Sequence, residues 1–282
     1  MDLLTPASVR ALLDEHGIHP KKSLGQHFLA DPNTARRVAA LAGVQRGDSI
    51  LEIGPGLGSL TLALVERGAR VLAVEVDARL AGVLESVLRR AGADDCVEVR
   101  VADALTVEWR TALAASPEWS CVSNLPYNVA VPVVVRLLED APAVTRIVAM
   151  VQREVGERLA AGPGDPEYGA VSVKVGYHAE VSLLGTVPPA VFVPRPKVDS
   201  ALVGMVRRAT PPVTVPSESD FFDLVRSGFS QRRKMLRRSL RPLLGAHAAA
   251  VLEAAGVEPT ARAETLGLDE WAALARSAVD AA

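Results

Sequence analysis

The sequence predicts a doubly wound α/β fold, with a mostly parallel sheet that carries an antiparallel edge, followed by a small all-α C-terminal domain. Three observations lead there. Short apolar runs alternate with helical patterns between Ser49 and Ala160, the signature of a parallel sheet covered by helices. A glycine-rich stretch, Gly54-Pro55-Gly56-Leu57-Gly58, follows directly on the first of these strands. Beyond the Pro-rich segment Ala209 to Ser219, only helical periodicity remains.

Taken in order, Pro6 to His16 has the spacing of a short amphipathic helix. Lys21 to Leu29 is a basic, Gly-containing loop. Asp31-Pro32-Asn33 supplies a cap for a helix to about Ala42, and Gly47-Asp48 is a turn. Ser49 to Ile53 is a strand, the glycine turn follows, and Ser59 to Arg67 reads as a helix. Arg70 to Glu75 is the second strand, with a helix from about Arg79 to Arg90. Val97 to Val101 is the third, ending in Ala102-Asp103-Ala104. Trp119 to Ser123 is the fourth strand and leads into Asn124-Leu125-Pro126-Tyr127. A helix is expected around Val131 to Leu138, a fifth strand at Arg146 to Val151 and a helix from Arg153 to Ala160. Tyr168 to Leu184 and Ser200 to Val206 are β-rich and flank the loop Pro188 to Pro196, so both are expected to complete the sheet as its antiparallel edge. The helices of the appendage fall at Asp220 to Phe229, Arg232 to Leu244, Ala246 to Ala255 and Leu268 to Ala278. Residues 1–208 are therefore expected to form the sheet domain and 209–282 the helical one.

The 282 residues can bury a sizeable core, and the hydrophobic 49% is mostly Ala, Val and Leu. A net charge of −2 gives no overall field toward a polyanion, so any such site must be a local patch. Cys96 and Cys121 are too few and too scattered for a disulfide framework or a metal site, which suits a reducing compartment. No metal is expected. The run Val129 to Val135 is interrupted by Pro132 and is too short to span a bilayer. The reading is a cytoplasmic protein acting as a monomer, away from membranes.

Asn124-Leu125-Pro126-Tyr127 lies just past a strand's carboxyl end, where open α/β sheets bind ligands. The Asn124 amide can accept and donate, Pro126 stiffens the turn, and Tyr127 offers a flat face with a polar tip. An amide oxygen, the Leu125 carbonyl and an aromatic plate suit a planar base with an exocyclic amino group, such as adenine.

The turn at Gly54 and Gly56 lets the main chain approach a ligand closely. A dinucleotide fingerprint would need a third glycine where Ser59 stands, and Glu52 would repel a pyrophosphate. The cofactor S-adenosylmethionine has a positive sulfur and no phosphate, so nearby acids help it. Glu75 at the end of the second strand suits two ribose hydroxyls, and Asp103 at the end of the third suits an adenine amino group.

Leu24-Gly25-Gln26-His27-Phe28-Leu29, Glu52 to Gly58, Glu75-Val76-Asp77, Ala102-Asp103-Ala104 and Asn124 to Asn128 form an ordered set. It continues through Gln152 to Val155, Val191 to Ser200 and Arg232 to Arg237. With these pieces the chain closely resembles, over nearly its whole length, the small-subunit (16S) ribosomal RNA adenine N6,N6-dimethyltransferases of the KsgA type. The resemblance implies a Rossmann-like methyltransferase sheet and S-adenosylmethionine held at His27, Leu29, Gly54, Gly56, Glu75, Asp103 and Asn124. It implies target adenine handled by Asn124, Leu125, Pro126, Tyr127 and Phe192. The substrate it implies is a pair of adjacent adenines near the 3′ end of small-subunit ribosomal RNA, in the precursor of the 30S subunit. One departure stands out: the family usually has Asn where this chain has His27. Histidine can change charge near neutral pH and asparagine cannot, so cofactor affinity is expected to depend on pH here.

Arg226 to Arg241 holds seven basic residues and no acid. As one helix it would align Arg233, Arg237 and Arg241 in a stripe. Arg232, Arg233, Lys234, Arg237 and Arg238 are the expected RNA-phosphate contacts, which position a substrate without reading its sequence. Lys21, Lys22, Arg36 and Arg37 are expected to extend the patch. Two other readings fit part of the pattern: a large-subunit (23S) ribosomal RNA adenine methylase of the macrolide-resistance type, and a ribosome-assembly factor whose catalysis is secondary.

Overall fold

The computed structural model describes residues 2–20 and 25–281, so Lys21, Lys22 and Leu24 lie outside the described residues. In chain order the helices are α1 (Pro6–Glu15), α2 (Pro32–Leu41), α3 (Ser59–Glu66), α4 (Ala78–Ala91), α5 (Trp109–Ala112), α6 (Ala130–Asp140) and α7 (Arg153–Ala160). They continue with α8 (Ala170–His178), α9 (Glu218–Phe229), α10 (Leu236–Ser239), α11 (Arg241–Leu244), α12 (Ala248–Ala254) and α13 (Leu268–Asp280). The strands are β1 (Phe28–Leu29), β2 (Ser49–Ile53), β3 (Arg70–Glu75), β4 (Val97–Val101), β5 (Trp119–Asn124), β6 (Val144–Gln152), β7 (Ala179–Val187), β8 (Phe192–Val193) and β9 (Ser200–Arg207).

Seven strands form one sheet in the order β4-β3-β2-β5-β6-β9-β7. β4, β3, β2, β5 and β6 run parallel, and β9 runs antiparallel to β6, as the strand patterns predict. The chain leaves β2 for one side of the sheet and returns to its other side as β5. The switch point, where ligands bind in such sheets, therefore lies beyond the carboxyl ends of β2 and β5. These central strands are largely buried on both faces, as in sheets that helices cover on both sides. Local signals start the helices: Asp31 accepts from Thr34 N at 2.6 Å ahead of Pro32, and Ser217 accepts from Asp220 N ahead of α9. A two-residue ribbon, β1 with β8, pairs Phe28 with Val193 and Leu29 with Phe192. Among the described residues no helix is long and apolar enough to cross a membrane.

Two compact units result. One holds residues up to Gly156 and again Val181–Arg207. The other holds Glu157–Glu180 and Arg208 onward. The single boundary expected at residue 208 is thus corrected by the segment 157–180, which joins the helical unit. Part of that segment was read as β-rich, and the structure makes it α8 instead. Gly169 N donates to Ser172 Oγ at the helix start, and Ser172 Oγ donates to Arg158 O. Val173 and Tyr177, four apart, enter one core with Phe221, Phe222 and Leu252. Burial on a helical spacing outweighs the strand preference of Val and Tyr.

The helix expected over Arg232 to Leu244 is also corrected. Residues 231–234 form turns and a bend, Met235 is extended, and only α10 and α11 follow within the expected span. Pro242 has no N–H to continue a helix through this point. The main chain at Leu236 is drawn aside, donating to Ala261 O at 2.8 Å.

Candidate active site

The carboxyl ends of β2, β3 and β5 and the β1 ribbon enclose a cavity. Its lining includes His27, Leu29, Glu52, Gly54, Gly56, Glu75, Asp103, Asn124, Leu125, Pro126 and Tyr127. Residues from Gly25 to Val133 thus meet at the switch point, as the fold requires. Of the residues expected there, Phe192 alone does not line the cavity.

The glycine turn and Asn124-Leu125-Pro126-Tyr127 are packed against each other. Gly54 sits at φ +68°, and a Cβ there would lie 3.1 Å from Pro126 Cδ and Cγ. Gly56, at φ +57°, would put a Cβ 2.9 Å from the Phe28 ring. Both positions therefore need glycine for conformation and for space. Ser59, where a dinucleotide fingerprint would have glycine, uses its hydroxyl to donate to Leu29 O and so ties the start of α3 to β1. Ile53 N donates to Ser123 Oγ at 2.9 Å, which locks the ends of β2 and β5 together.

Asn124 donates from Nδ2 to His27 O at 3.1 Å. That donation orients the amide and presents Oδ1 as the acceptor. Leu125 N donates to Met150 O, pinning the main chain beside it to the end of β6, while the Leu125 side chain is buried.

Two buried carboxylates line the cavity. Glu52 is 1% exposed, and burial pushes its carboxyl up to about 8, with the charge of Glu75 acting the same way. The Thr61 hydroxyl, a larger influence than the Glu75 charge, pulls in the other direction. Glu52 Oε2 and Thr61 Oγ1 both lack a full hydrogen-bond partner among the described residues. Glu75 accepts from Gly56 N at 3.2 Å through one oxygen and from Asp77 N at 3.0 Å through the other. Its carboxyl is also raised, chiefly by burial and against those backbone donors. Asp103 accepts from Leu105 N at 2.8 Å. A buried acid with an unpartnered oxygen, which a nearby cation would help to ionise, and a backbone cradle that a Cβ would fill suit a cationic, phosphate-free group. That fits S-adenosylmethionine and argues against a pyrophosphate.

Tyr127 is held at both ends. Its hydroxyl hydrogen-bonds Ser200 Oγ at 2.7 Å. Its ring lies 5.3 Å from the His27 ring, centroid to centroid, at an interplanar angle of 34°. His27 Nδ1 in turn lies 2.8 Å from Pro194 O. Phe192, expected as a second plate over the base, is 3% exposed and packed in the core of the sheet unit. Its place in β8, opposite Leu29, holds it inward. Ser200 and Ser123 support the site without having been singled out for a role there, because hydroxyls in apolar strands leave no trace in a pattern reading.

In the helical unit, Arg233, Lys234, Arg237, Arg238 and Arg241 are exposed, and none forms an ion pair among the described residues. Arg232 differs: it pairs with Glu264 at 3.0 Å and donates to Pro166 O. Arg226 is engaged by Asp223. With Arg233 in a turn, Arg237 in α10 and Arg241 in α11, the expected single-helix stripe is replaced by a cluster over three short segments. Arg36 pairs with Glu66 at 2.7 Å and Arg37 donates to Thr186 O, so neither is a free extension of the patch.

The family model described as ribosomal RNA adenine dimethylase matches residues 18–280. A protein of Leifsonia xyli named ribosomal RNA small subunit methyltransferase A is 48% identical over 97% of this chain and 98% of its own. A namesake from Streptomyces avermitilis is 45% identical over 98% and 94%. Among solved structures, a dimethyladenosine transferase from Plasmodium falciparum superposes with a TM-score of 0.74 at 24% identity, over 88% of this chain and 96% of its own. The 23S rRNA methyltransferase ErmE gives 0.66 at 28% identity, over 89% and 98%. Matched from near its start to near its end, this chain belongs to the ribosomal RNA adenine dimethylase family.

Proposed function

We propose that this protein transfers methyl groups from S-adenosylmethionine to the exocyclic N6 of two adjacent adenines near the 3′ end of small-subunit ribosomal RNA. It acts in the cytoplasm, as a monomer, on a precursor of the small subunit. The observation that carries this is the packing of Pro126 on Gly54, which sets the amide of Asn124 and the ring of Tyr127 in one cavity with Glu52, Glu75 and Asp103.

The cofactor, when bound, supplies a methyl group on an already activated sulfur. Glu75 suits its ribose hydroxyls, Asp103 its adenine amino group, and the Gly54–Gly56 main chain lets it lie close. His27, Leu29 and Asn124 complete the same wall. The adenine amine is a poor nucleophile because its lone pair is delocalised into the ring. Asn124 Oδ1 and Leu125 O accept its two N–H bonds, which favours a pyramidal nitrogen with its lone pair free to react. Pro126 keeps these acceptors in register with the glycine turn. Tyr127 stacks on the base, a contact worth roughly 1–3 kcal/mol. Proximity and orientation supply most of the acceleration, and the proton leaves to solvent after transfer. The base must leave its stack to enter, which costs least in a loop. Arg233, Lys234, Arg237 and Arg238, with Arg232 beside them, hold RNA phosphates.

The test is incubation of the purified protein with labelled S-adenosylmethionine and unmethylated small subunits, read by mass spectrometry of the RNA. Two dimethyladenines near the 3′ end are expected. Label appearing only in large-subunit RNA would transfer the reading to the relatives of the ErmE type. No label with either subunit would leave an assembly factor.

A further inference from the structure

The base-stacking plate, Tyr127, is not held by its own loop. Its hydroxyl meets Ser200 Oγ at 2.7 Å, from a residue 73 positions further along the chain. Ser200 is fully buried as the first residue of β9 and stands opposite Gln152 in the β6–β9 register. The hydroxyl it offers is therefore fixed to the sheet, with little freedom to follow a moving ring. On the ring itself, the centroid distance of 5.3 Å to His27 is that of direct contact, so no purine fits between the two. One side of the plate is thus occupied by a residue that is itself held at Pro194 O. Two contacts therefore fix the tilt of Tyr127, and with it the plane of a base stacked on its open face.

We propose that Ser200 is a positioning residue for methyl transfer. By anchoring the Tyr127 hydroxyl to β9, while His27 closes one side of the ring, it fixes the stacking plane on the remaining face. Ser200 touches neither cofactor nor base. This rests on the reading of Tyr127 as the adenine plate.

The experiment is a double-mutant cycle of Ser200→Ala and Tyr127→Phe on the full-length protein, with Ser200→Thr as the conservative variant. It reads kcat and KM for unmethylated small subunits, together with calorimetric S-adenosylmethionine affinity. Each single variant is expected to lower kcat about 5-fold, as for one ordinary hydrogen bond of about 1 kcal/mol, with KM and cofactor affinity within 2-fold of the parent. The double variant is expected to be no slower than either single one, because both remove the same bond. Ser200→Thr should restore kcat. Multiplying losses, an unchanged kcat, or a Ser200→Ala defect carried equally by cofactor affinity would overturn the proposal. Tyr127→Ala separates the two levels. If it methylates normally, the plate reading itself is wrong. If it is inactive while the cycle multiplies, only the anchor is.

Discussion

Asn124 donates one amide hydrogen to the carbonyl of His27, 3.1 Å away, which orients its Oδ1 as an acceptor in the cavity it lines with the glycine turn. Asn124→Ala is therefore expected to lower methyl transfer at least 100-fold, while RNA affinity stays within about 2-fold. Single-turnover methylation and filter binding of small subunits measure the two. Turnover near that of the parent would remove Asn124 from the chemistry.

Gly54→Ala sets a methyl group against Pro126, 3.1 Å away, at a backbone angle of φ +68°. The left-handed conformation costs an alanine about 1–2 kcal/mol, and relief requires the Pro126 loop to move. Cofactor affinity by calorimetry is expected to fall about 10-fold or more and kcat to fall with it. A Gly54→Ala protein with parental affinity and kcat would show that the turn does not govern the site.

Glu52 links stability to pH. Its native carboxyl keeps its proton up to about 8, whereas the unfolded chain releases it near the ordinary carboxylate value. Between those values the unfolded state binds fewer protons than the native one, so stability falls as pH rises and levels off above about pH 8. The slope from this group is about 1.4 kcal/mol per pH unit at most. Urea denaturation of the cofactor-free protein from pH 6 to pH 9 should show this slope, and Glu52→Gln should flatten it. Equal slopes in the two proteins would mean that Glu52 is ionised in the native state.

Arg233, Lys234, Arg237 and Arg238 stand exposed without ion pairs among the described residues, while Arg232 already faces Glu264. Replacing any one of the first four with Ala should reduce the salt dependence of RNA binding by roughly one counterion. Arg232→Ala should reduce it less. Titrations of RNA at several salt concentrations measure the slopes, and unchanged slopes in all four variants would place the RNA elsewhere.

Much of the architecture was legible in local chemistry. Strand and helix periodicity, the Asp31 cap and the glycine turn led to a mostly parallel sheet with an antiparallel element, while the strand order β4-β3-β2-β5-β6-β9-β7 is set by the tertiary structure. The acids at strand ends and Asn124 to Tyr127 were legible too, because the switch point brings the carboxyl ends of β2, β3 and β5 together whatever the details. Signals of this kind lie within a few residues of what they specify.

What the tertiary structure alone decided depends on partners far apart in the chain. Ser200 meets Tyr127 across 73 positions and His27 meets Pro194 across 167, and no local pattern encodes either. Phe192 turns inward because β8 pairs with β1, and residues 170–178 are helical because Val173 and Tyr177 have a helical core to enter. Arg36 and Arg232 are neutralised by Glu66 and Glu264, which a count of charges along the sequence cannot reveal. The sequence by itself determined which chemistry gathers at the switch point. Packing decided which of those side chains are free to use it, because burial and pairing are properties of neighbours in space.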